Sequence, residues 1–214
     1  MHGGCASKEP MNLSHLLDSL DGLKTLVFKL LPTEVTDLVA AVPMTTDGPW
    51  TEDQKAVYQK NIGIPAERSY WKPGGFNNVP LSKSEEREKW IDAVAKIPHR
   101  YLFLDPDAGF YRRHTRDSRR ILVPDELKRI LTNRDVLIIY RHQYWPKTNH
   151  QDARVYPYVS DGLHILREAC LTACAYQSPA ASLFFVSGVP DKIAPFADGL
   201  RRELRGEHTR RLVE

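Results

Sequence analysis

Short apolar runs alternate with segments of helix length in the second half of the chain, and this alternation restricts the fold more than any other feature. The runs predict strands at 101–105, 136–140 and 182–187. The last two contain four consecutive apolar residues, which is typical of strands covered on both faces. The helices predicted after them lie at 124–133, 160–176 and 190–204. Because such connections are right-handed crossovers, the sequence predicts a doubly wound, mostly parallel Rossmann-like α/β sheet flanked by helices.

The first half of the chain adds further elements to this sheet. Turn residues end an apolar run of strand length, and Thr51 and Gln54 form a capping box at a helix start. The elements predicted there are a helix at 12–31, a strand at 36–44 and helices at 51–60 and 84–97. We expect residues 1–11 to be a flexible leader and residues 12–214 to form a single domain.

Composition excludes several classes of protein. The longest apolar runs, such as 135–140, are far below the roughly 20 residues that span a bilayer, and no signal-peptide pattern opens the chain. We therefore expect a cytoplasmic protein with no membrane partner.

The chain has three cysteines, which is too few, and an odd number, for a disulfide framework. Cys170 and Cys174 lie four apart in a predicted helix, on one face, and are interpreted as small core residues.

Two carboxylates follow the strand at 101–105. Asp105 ends the strand, and Asp107 comes two residues later, just before Gly109. In open α/β sheets, ligands bind beyond the carboxyl ends of the strands. Carboxylate oxygens are the ligands that Mg²⁺ and Mn²⁺ prefer. We therefore expect Asp105 and Asp107 to be catalytic residues and metal ligands.

The strand at 136–140 ends in residues that suit the same site. His142 lies two residues beyond it, at the same edge as Asp105 if the two strands are parallel. Imidazole serves as a general base or as a ligand. His142 is therefore the third catalytic candidate, and Arg141 and His150 are expected to contact the substrate.

Basic residues are concentrated in one loop after the carboxylates. Five arginines and a histidine lie within residues 112–120, although the chain carries a net charge of only +3. The guanidinium fork pairs bidentately with phosphate, so Arg112, Arg113 and Arg116 are expected to bind substrate phosphates. The alternative, a solvated surface that keeps the protein soluble, stays open.

The common phosphate and nucleophile motifs are absent from the sequence. It contains no Walker A sequence, no G-x-G-x-x-G after an early strand and no G-x-S-x-G elbow. Neither Cys-x-x-Cys nor His-Glu-x-x-His occurs, which argues against zinc.

Several of these motifs together resemble one group of proteins. They are F-L-D-P-D-A-G at 103–109, D-E-L at 125–127, and a strand ending at Tyr140 with His142 and later His150. This pattern is similar to uncharacterised bacterial and phage proteins with an F-L-D-P-D-N-G signature, then W-D-E, then a strand ending Y-x-H. That group is distantly similar to three-Cys-motif partner proteins, which are methyltransferase-like. The resemblance covers about residues 100–150 and implies a Rossmann-like fold more than an activity.

The chain departs from the usual residues of this group, and it also resembles a second family. Ala108 replaces the usual Asn, and Arg141 stands where a further His is common. Asp105 and Pro106, with Phe110 nearby, resemble the Asp-Pro-Pro-aromatic sequence that holds the target amino group in N6-adenine methyltransferases. The second proline is missing, and so is the glycine-rich turn for S-adenosylmethionine.

Three functions remain open at the level of the sequence, and one of them is not enzymatic. The first is a metal-dependent phosphoester hydrolase, of nuclease or nucleotide phosphodiesterase type, that uses Mg²⁺ or Mn²⁺ on nucleic acid or a nucleotide. The second is a methyltransferase-like enzyme that uses S-adenosylmethionine. The third is a phage or defence-associated binding module whose loop at 112–120 contacts an acidic surface or nucleic acid.

Overall fold

A computed structural model describes residues 38–45, 49–106, 109–113, 119, 121–142, 157–177, 181–203 and 212–213. The strands are β1 (Val39–Pro43), β2 (Tyr101–Asp105), β3 (Val136–His142), β4 (Thr172–Gln177), β5 (Ala181–Ser187) and β6 (Leu212–Val213). The helices are α1 (Glu52–Ile62), α2 (Glu85–Ala95), α3 (Pro124–Leu131), α4 (Pro157–Glu168) and α5 (Pro190–Glu203). The predicted leader at 1–11 and the predicted helix at 12–31 lie outside the described residues.

Side-chain caps explain where the first two helices begin. The Thr51 hydroxyl accepts from the backbone N–H of Gln54 at 3.3 Å, and the Gln54 side chain accepts from the backbone N–H of Thr51 at 2.8 Å. This is the predicted capping box. Ser84 likewise accepts from the backbone N–H of Arg87 at 3.0 Å, at the start of α2. The helices predicted at 51–60 and 84–97 are confirmed.

The six described strands form one mixed sheet in the order β1-β2-β3-β5-β4-β6. β2 is parallel to both β1 and β3. β5 is antiparallel to β3 and to β4, and β6 is antiparallel to β4. Strands β1 to β4 therefore run in one direction, while β5 and β6 run in the other. The prediction of a mostly parallel sheet holds for β1 to β3, and it is wrong for the strand at 182–187.

The reversal of β5 follows from a strand that the sequence analysis missed. The helix predicted at 160–176 ends at Glu168, and residues 172–177 form β4 instead. Only three residues separate β4 from β5, and so short a connection can join only antiparallel strands. Cys170 is exposed with φ at +58° after the helix, whereas Cys174 is buried in β4. The predicted helical pairing of these cysteines and the core position of Cys170 are wrong, and the core position of Cys174 is confirmed.

Helices cover both faces of the sheet. Leu102 and Leu104 of β2 belong to a buried cluster with residues of α2, α3 and α4. Phe103 belongs to a second cluster, on the opposite face, with residues of α1 and α5. This alternation is the pleat of a strand buried on both sides. Within the described part of the chain, no helix combines the length and the apolar character needed to cross a bilayer. The single domain and the cytoplasmic location stay predictions.

The irregular connection after α1 covers the edge of β1. Ser69 forms a parallel bridge with Ala41, and the backbone N–H of Tyr70 donates to the Ala41 carbonyl at 2.8 Å. The Tyr70 hydroxyl lies 3.1 Å from Nε2 of His99, which ties this connection to the segment before β2. At Ala41, the edge of β1 is therefore paired within the chain.

His99 makes the stability of this region depend on pH. Burial, and then the positive charges of Arg68 and Arg134, lower the pKa of His99 below its ordinary value. Because the folded state binds the proton more weakly than the unfolded state, the contribution of His99 is fully present above its unfolded pKa of about 6.5. It is lost as the pH falls below that value. We expect His99→Gln, which does not titrate, to lose less unfolding free energy between about pH 7.5 and 5.5 than the wild type in urea titrations. An equal loss in both proteins would contradict this prediction.

Candidate functional site

The carboxyl ends of β1, β2 and β3 meet at one edge of the sheet. Pro43 pairs with Asp105, and the register of Leu104 with Ile139 brings the ends of β2 and β3 side by side. His142 ends β3 three residues beyond Ile139. Asp105 and His142 therefore end neighbouring parallel strands at the same edge, as the sequence predicts.

A tyrosine from α1 holds the carboxylate of Asp105. The Tyr58 hydroxyl donates to Oδ2 of Asp105 at 2.9 Å. Tyr58 is buried in the cluster under α1, whereas Asp105 is half-buried at the end of its strand. A hydrogen bond from a fixed donor restricts the orientation of a carboxylate, as the groups that hydrogen-bond to metal ligands and catalytic residues do. Sequence analysis missed Tyr58, because 47 residues separate it from Asp105.

Two tryptophans pack around Tyr58, and the three rings form what we call the aromatic cluster: Trp50, Tyr58 and Trp71. The ring centroid of Tyr58 lies 5.6 Å from that of Trp50 and 5.4 Å from that of Trp71, both edge to face. The two indoles are 5.4 Å apart. The Lys55 Nζ lies 5.9 Å from the Trp71 ring. These contacts fix the Tyr58 ring and hence the donor that orients Asp105.

The side chain of Arg141 packs in the interior of the protein, against two aromatic rings. Its side chain is buried, and its Nη1 donates to the Tyr158 carbonyl at 3.0 Å. Its guanidinium carbon lies 5.4 Å from the Phe110 ring centroid and 5.0 Å from that of Tyr111. Gly109 has φ at +76°, and a Cβ there would lie 2.4 Å from Cγ of Arg141. Only glycine permits this approach. Contact of Arg141 with a substrate stays a prediction.

Backbone hydrogen bonds join the residues on either side of 112–120, the segment that we call the arginine loop. The backbone N–H of Tyr111 donates to the Leu122 carbonyl at 2.9 Å, and that of Leu122 donates to the Gly109 carbonyl at 3.0 Å. These bonds bring the two ends of the loop together. Arg112 and Arg113 are exposed, and Nη2 of Arg112 lies 2.9 Å from Oε2 of Glu168.

The structure leaves part of the predicted site undescribed. Asp107, Arg116, His150 and the side chain of His142 lie outside the described residues. Among the residues that are described, no group of three His, Cys, Asp or Glu side chains could hold a metal ion. Asp105 alone does not make a Mg²⁺ or Mn²⁺ site, so the described residues by themselves do not fit the metal. The predicted metal site depends on Asp107.

Comparison with known proteins adds no functional assignment. No protein-family model matches the chain, and neither a curated protein nor a solved structure matches it. The relation to proteins with the F-L-D-P-D-N-G signature therefore stays a prediction. The functional argument rests on the geometry of the sheet edge at Asp105.

Proposed function

We propose that this protein is a phosphoester hydrolase whose site lies at the carboxyl ends of β1, β2 and β3. One observation carries the proposal: the Tyr58 hydroxyl holds Oδ2 of Asp105 at 2.9 Å, at the edge where ligands of such sheets collect. Orienting a half-buried carboxylate in this way restricts it to a defined geometry. Preorganisation of this kind is what a catalytic carboxylate requires.

The proposal assigns a role to each candidate residue. Asp105 and Asp107 would hold Mg²⁺ or Mn²⁺, which when bound supplies charge stabilisation at a phosphoryl oxygen. His142 would accept a proton from water, and His150 and Arg141 would contact the substrate. Arg112, Arg113 and Arg116 would bind the phosphate. The proposed substrate is accordingly a nucleic acid or a nucleotide. The proposed location is the cytoplasm.

Hydrolysis of a generic phosphodiester tests this function directly. We expect the protein to hydrolyse bis(4-nitrophenyl) phosphate with Mg²⁺ or Mn²⁺ and to lose the activity in EDTA. We also expect these metals to raise the melting temperature, because a ligand that binds only the folded state stabilises it. The double variant Asp105→Asn/Asp107→Asn should lose this shift while its metal-free melting temperature is unchanged. An unchanged shift in that variant would reject the metal-dependent hydrolase.

Tyr58→Phe tests the orientation of Asp105. Loss of the hydroxyl removes a hydrogen bond to a charged group, worth about 1.5–3 kcal/mol. If half of this energy serves the transition state, kcat falls about 3- to 12-fold, since 1.4 kcal/mol is a factor of ten. KM is expected to stay within about twofold, because Tyr58 is buried and acts through Asp105. Steady-state kinetics with the same phosphodiester measure both constants.

Tyr70→Phe is the matched control for this variant. Its hydroxyl bonds to His99 rather than to Asp105, so kcat is expected to stay unchanged although one hydrogen bond of a half-buried tyrosine is lost. Equal decreases of kcat in the two variants would mean that the Tyr58 hydroxyl has no special role at Asp105.

The aromatic cluster favours a second candidate, the methyltransferase-like enzyme. Asp105 ends β2 beside three packed aromatic rings, and Pro106 follows it in the chain. Four strands of the sheet run in one direction, and helices cover both faces. These features support a doubly wound, Rossmann-like layout and the proposed relation to methyltransferase-like proteins. Stabilisation by S-adenosylmethionine with no response to metals would favour this enzyme. Stabilisation by neither ligand would favour a non-enzymatic binding module.

A further inference from the structure

We infer that the aromatic cluster binds the base of an unpaired nucleotide and that Lys55 contacts its phosphate. The inference deepens the proposed hydrolase, because it names the part of the substrate that is recognised beside Asp105. It rests on that function only for the reaction. The binding itself follows from where the two indoles lie, how far they are exposed and which charge lies next to them.

Both tryptophans lie near the end of β1, at the same edge of the sheet as Asp105. Trp50 directly precedes the N-cap residue of α1, the helix that follows β1. The residue two before Trp71 forms a parallel bridge with Ala41, so the chain from there to Trp71 runs toward the carboxyl end of β1. Pro43 at that end pairs with Asp105. The indoles therefore border the edge at which ligands of such sheets bind.

One tyrosine side chain separates the indoles from the carboxylate. The Tyr58 ring contacts both indoles, with centroids 5.6 and 5.4 Å away, and the Tyr58 hydroxyl donates to Oδ2 of Asp105 at 2.9 Å. A ribose joins a base to its phosphate over a comparable length. A base that stacks on the aromatic cluster therefore brings its phosphoester toward Asp105.

The two indoles are suited to stacking on a ligand. Trp50 and Trp71 are half-buried, and their centroids lie 5.4 Å apart, which is direct ring contact. A base therefore stacks on the outer surface of the pair rather than between the rings. Every base has a π-face, so such stacking tolerates different bases. The bases of a duplex already stack on one another, and the ligand is accordingly an unpaired nucleotide, either free or in a single strand.

Lys55 supplies the positive charge that a nucleotide phosphate requires. Its Nζ lies 5.9 Å from the Trp71 ring and 2.6 Å from Oε1 of Glu52. The Glu52 side chain is exposed, and an ion pair with an exposed partner is weak, so a phosphate can replace this carboxylate. Lys55 and Tyr58 are three residues apart and lie on the same side of α1. Planar rings and an ammonium group together match a planar base and its phosphate.

Isothermal titration calorimetry in EDTA measures binding of adenosine monophosphate in the absence of metal. We expect ribose phosphate, which lacks the base, to bind at least about fivefold more weakly, the smallest loss expected for one stacked base. Trp71→Leu should weaken binding of adenosine monophosphate by a similar factor or more, and Trp71→Phe, which keeps an aromatic ring, should lose less. Phe76→Leu is the matched control and should leave the affinity unchanged. Phe76 is half-buried in the same connection but packs on the opposite face of the sheet.

Lys55→Gln separates recognition of the phosphate from recognition of the base. It should weaken binding of adenosine monophosphate and leave binding of adenosine unchanged, because adenosine has no phosphate. Lys60→Gln removes an exposed lysine of the same helix and should change neither affinity. Competition by a single-stranded oligonucleotide distinguishes the two sources of the nucleotide. Tighter binding per nucleotide by the strand assigns a strand, and tighter binding by adenosine monophosphate assigns a free nucleotide.

Three results would overturn the inference. They are no binding of adenosine monophosphate, equal affinity for adenosine monophosphate and ribose phosphate, and tighter binding of a duplex than of its single strand. All three are measured on the wild type, so none depends on whether a variant folds, and circular dichroism checks the variants. Binding of adenosine monophosphate without phosphodiester hydrolysis would reject the proposed function and leave the inference standing. Hydrolysis of the small phosphodiester without this binding would do the reverse.

Discussion

Asp105→Asn is expected to lower kcat for phosphodiester hydrolysis by about 10²- to 10³-fold, the loss produced by removing one group that stabilises transition-state charge, because Asp105 is a proposed ligand of the metal that supplies this stabilisation. The substitution keeps the shape of the side chain, and the amide oxygen can still accept from the Tyr58 hydroxyl at the position of Oδ2. It removes the negative charge that the proposed function assigns to this edge of the sheet. Because the local packing is retained, the free energy of unfolding should change by less than about 1 kcal/mol.

Steady-state kinetics and urea unfolding of the same preparation separate loss of activity from loss of fold. Asp198→Asn is the matched control, since Asp198 is exposed on α5 and pairs with Arg201, three residues along the same helix. It should change neither quantity by a measurable amount. Wild-type kcat in Asp105→Asn would remove Asp105 from the catalytic residues.

Glu126→Ala is expected to destabilise the protein by about 3–5 kcal/mol, because it leaves a buried guanidinium without its counter-charge. Arg87 is fully buried between α2 and α3. Its Nε donates to Oε1 of Glu126 at 2.8 Å and its Nη2 donates to Oε2 at 3.0 Å. Oε2 of Glu126 also accepts from the backbone N–H of Val123 at 3.1 Å, so the same substitution removes the cap of α3.

Two further variants show whether this loss arises from the buried charge. Arg87→Met/Glu126→Leu replaces both partners with apolar side chains, and it should be less destabilised than Glu126→Ala. Glu88→Ala removes an exposed partner of Arg129 from the surface of the same helix pair and should cost less than about 1 kcal/mol. Urea unfolding measures all three. A cost of under about 1 kcal/mol for Glu126→Ala would mean that Arg87 is not left uncompensated.

Local sequence signals determined much of the parallel half of the sheet. β1, β2 and β3 are short apolar runs ended by turn or polar residues, and burial on both faces requires such runs whatever the rest of the chain does. The caps at Thr51 and Ser84 were equally local, because each involves residues three apart. The position of Asp105 at a strand end followed from these same signals.

Tertiary structure alone decided the second half of the sheet and the partners of the site. Residues 172–177 suit a helix or a strand by local pattern, and pairing with β5 on one side and β6 on the other selects the strand. Tyr58 reaches Asp105 because α1 packs on the face of the sheet to which that carboxylate points. Arg141 is buried because Gly109 lets the backbone approach it. Periodicity and capping act over a few residues, whereas these contacts join residues that only the packed chain brings together.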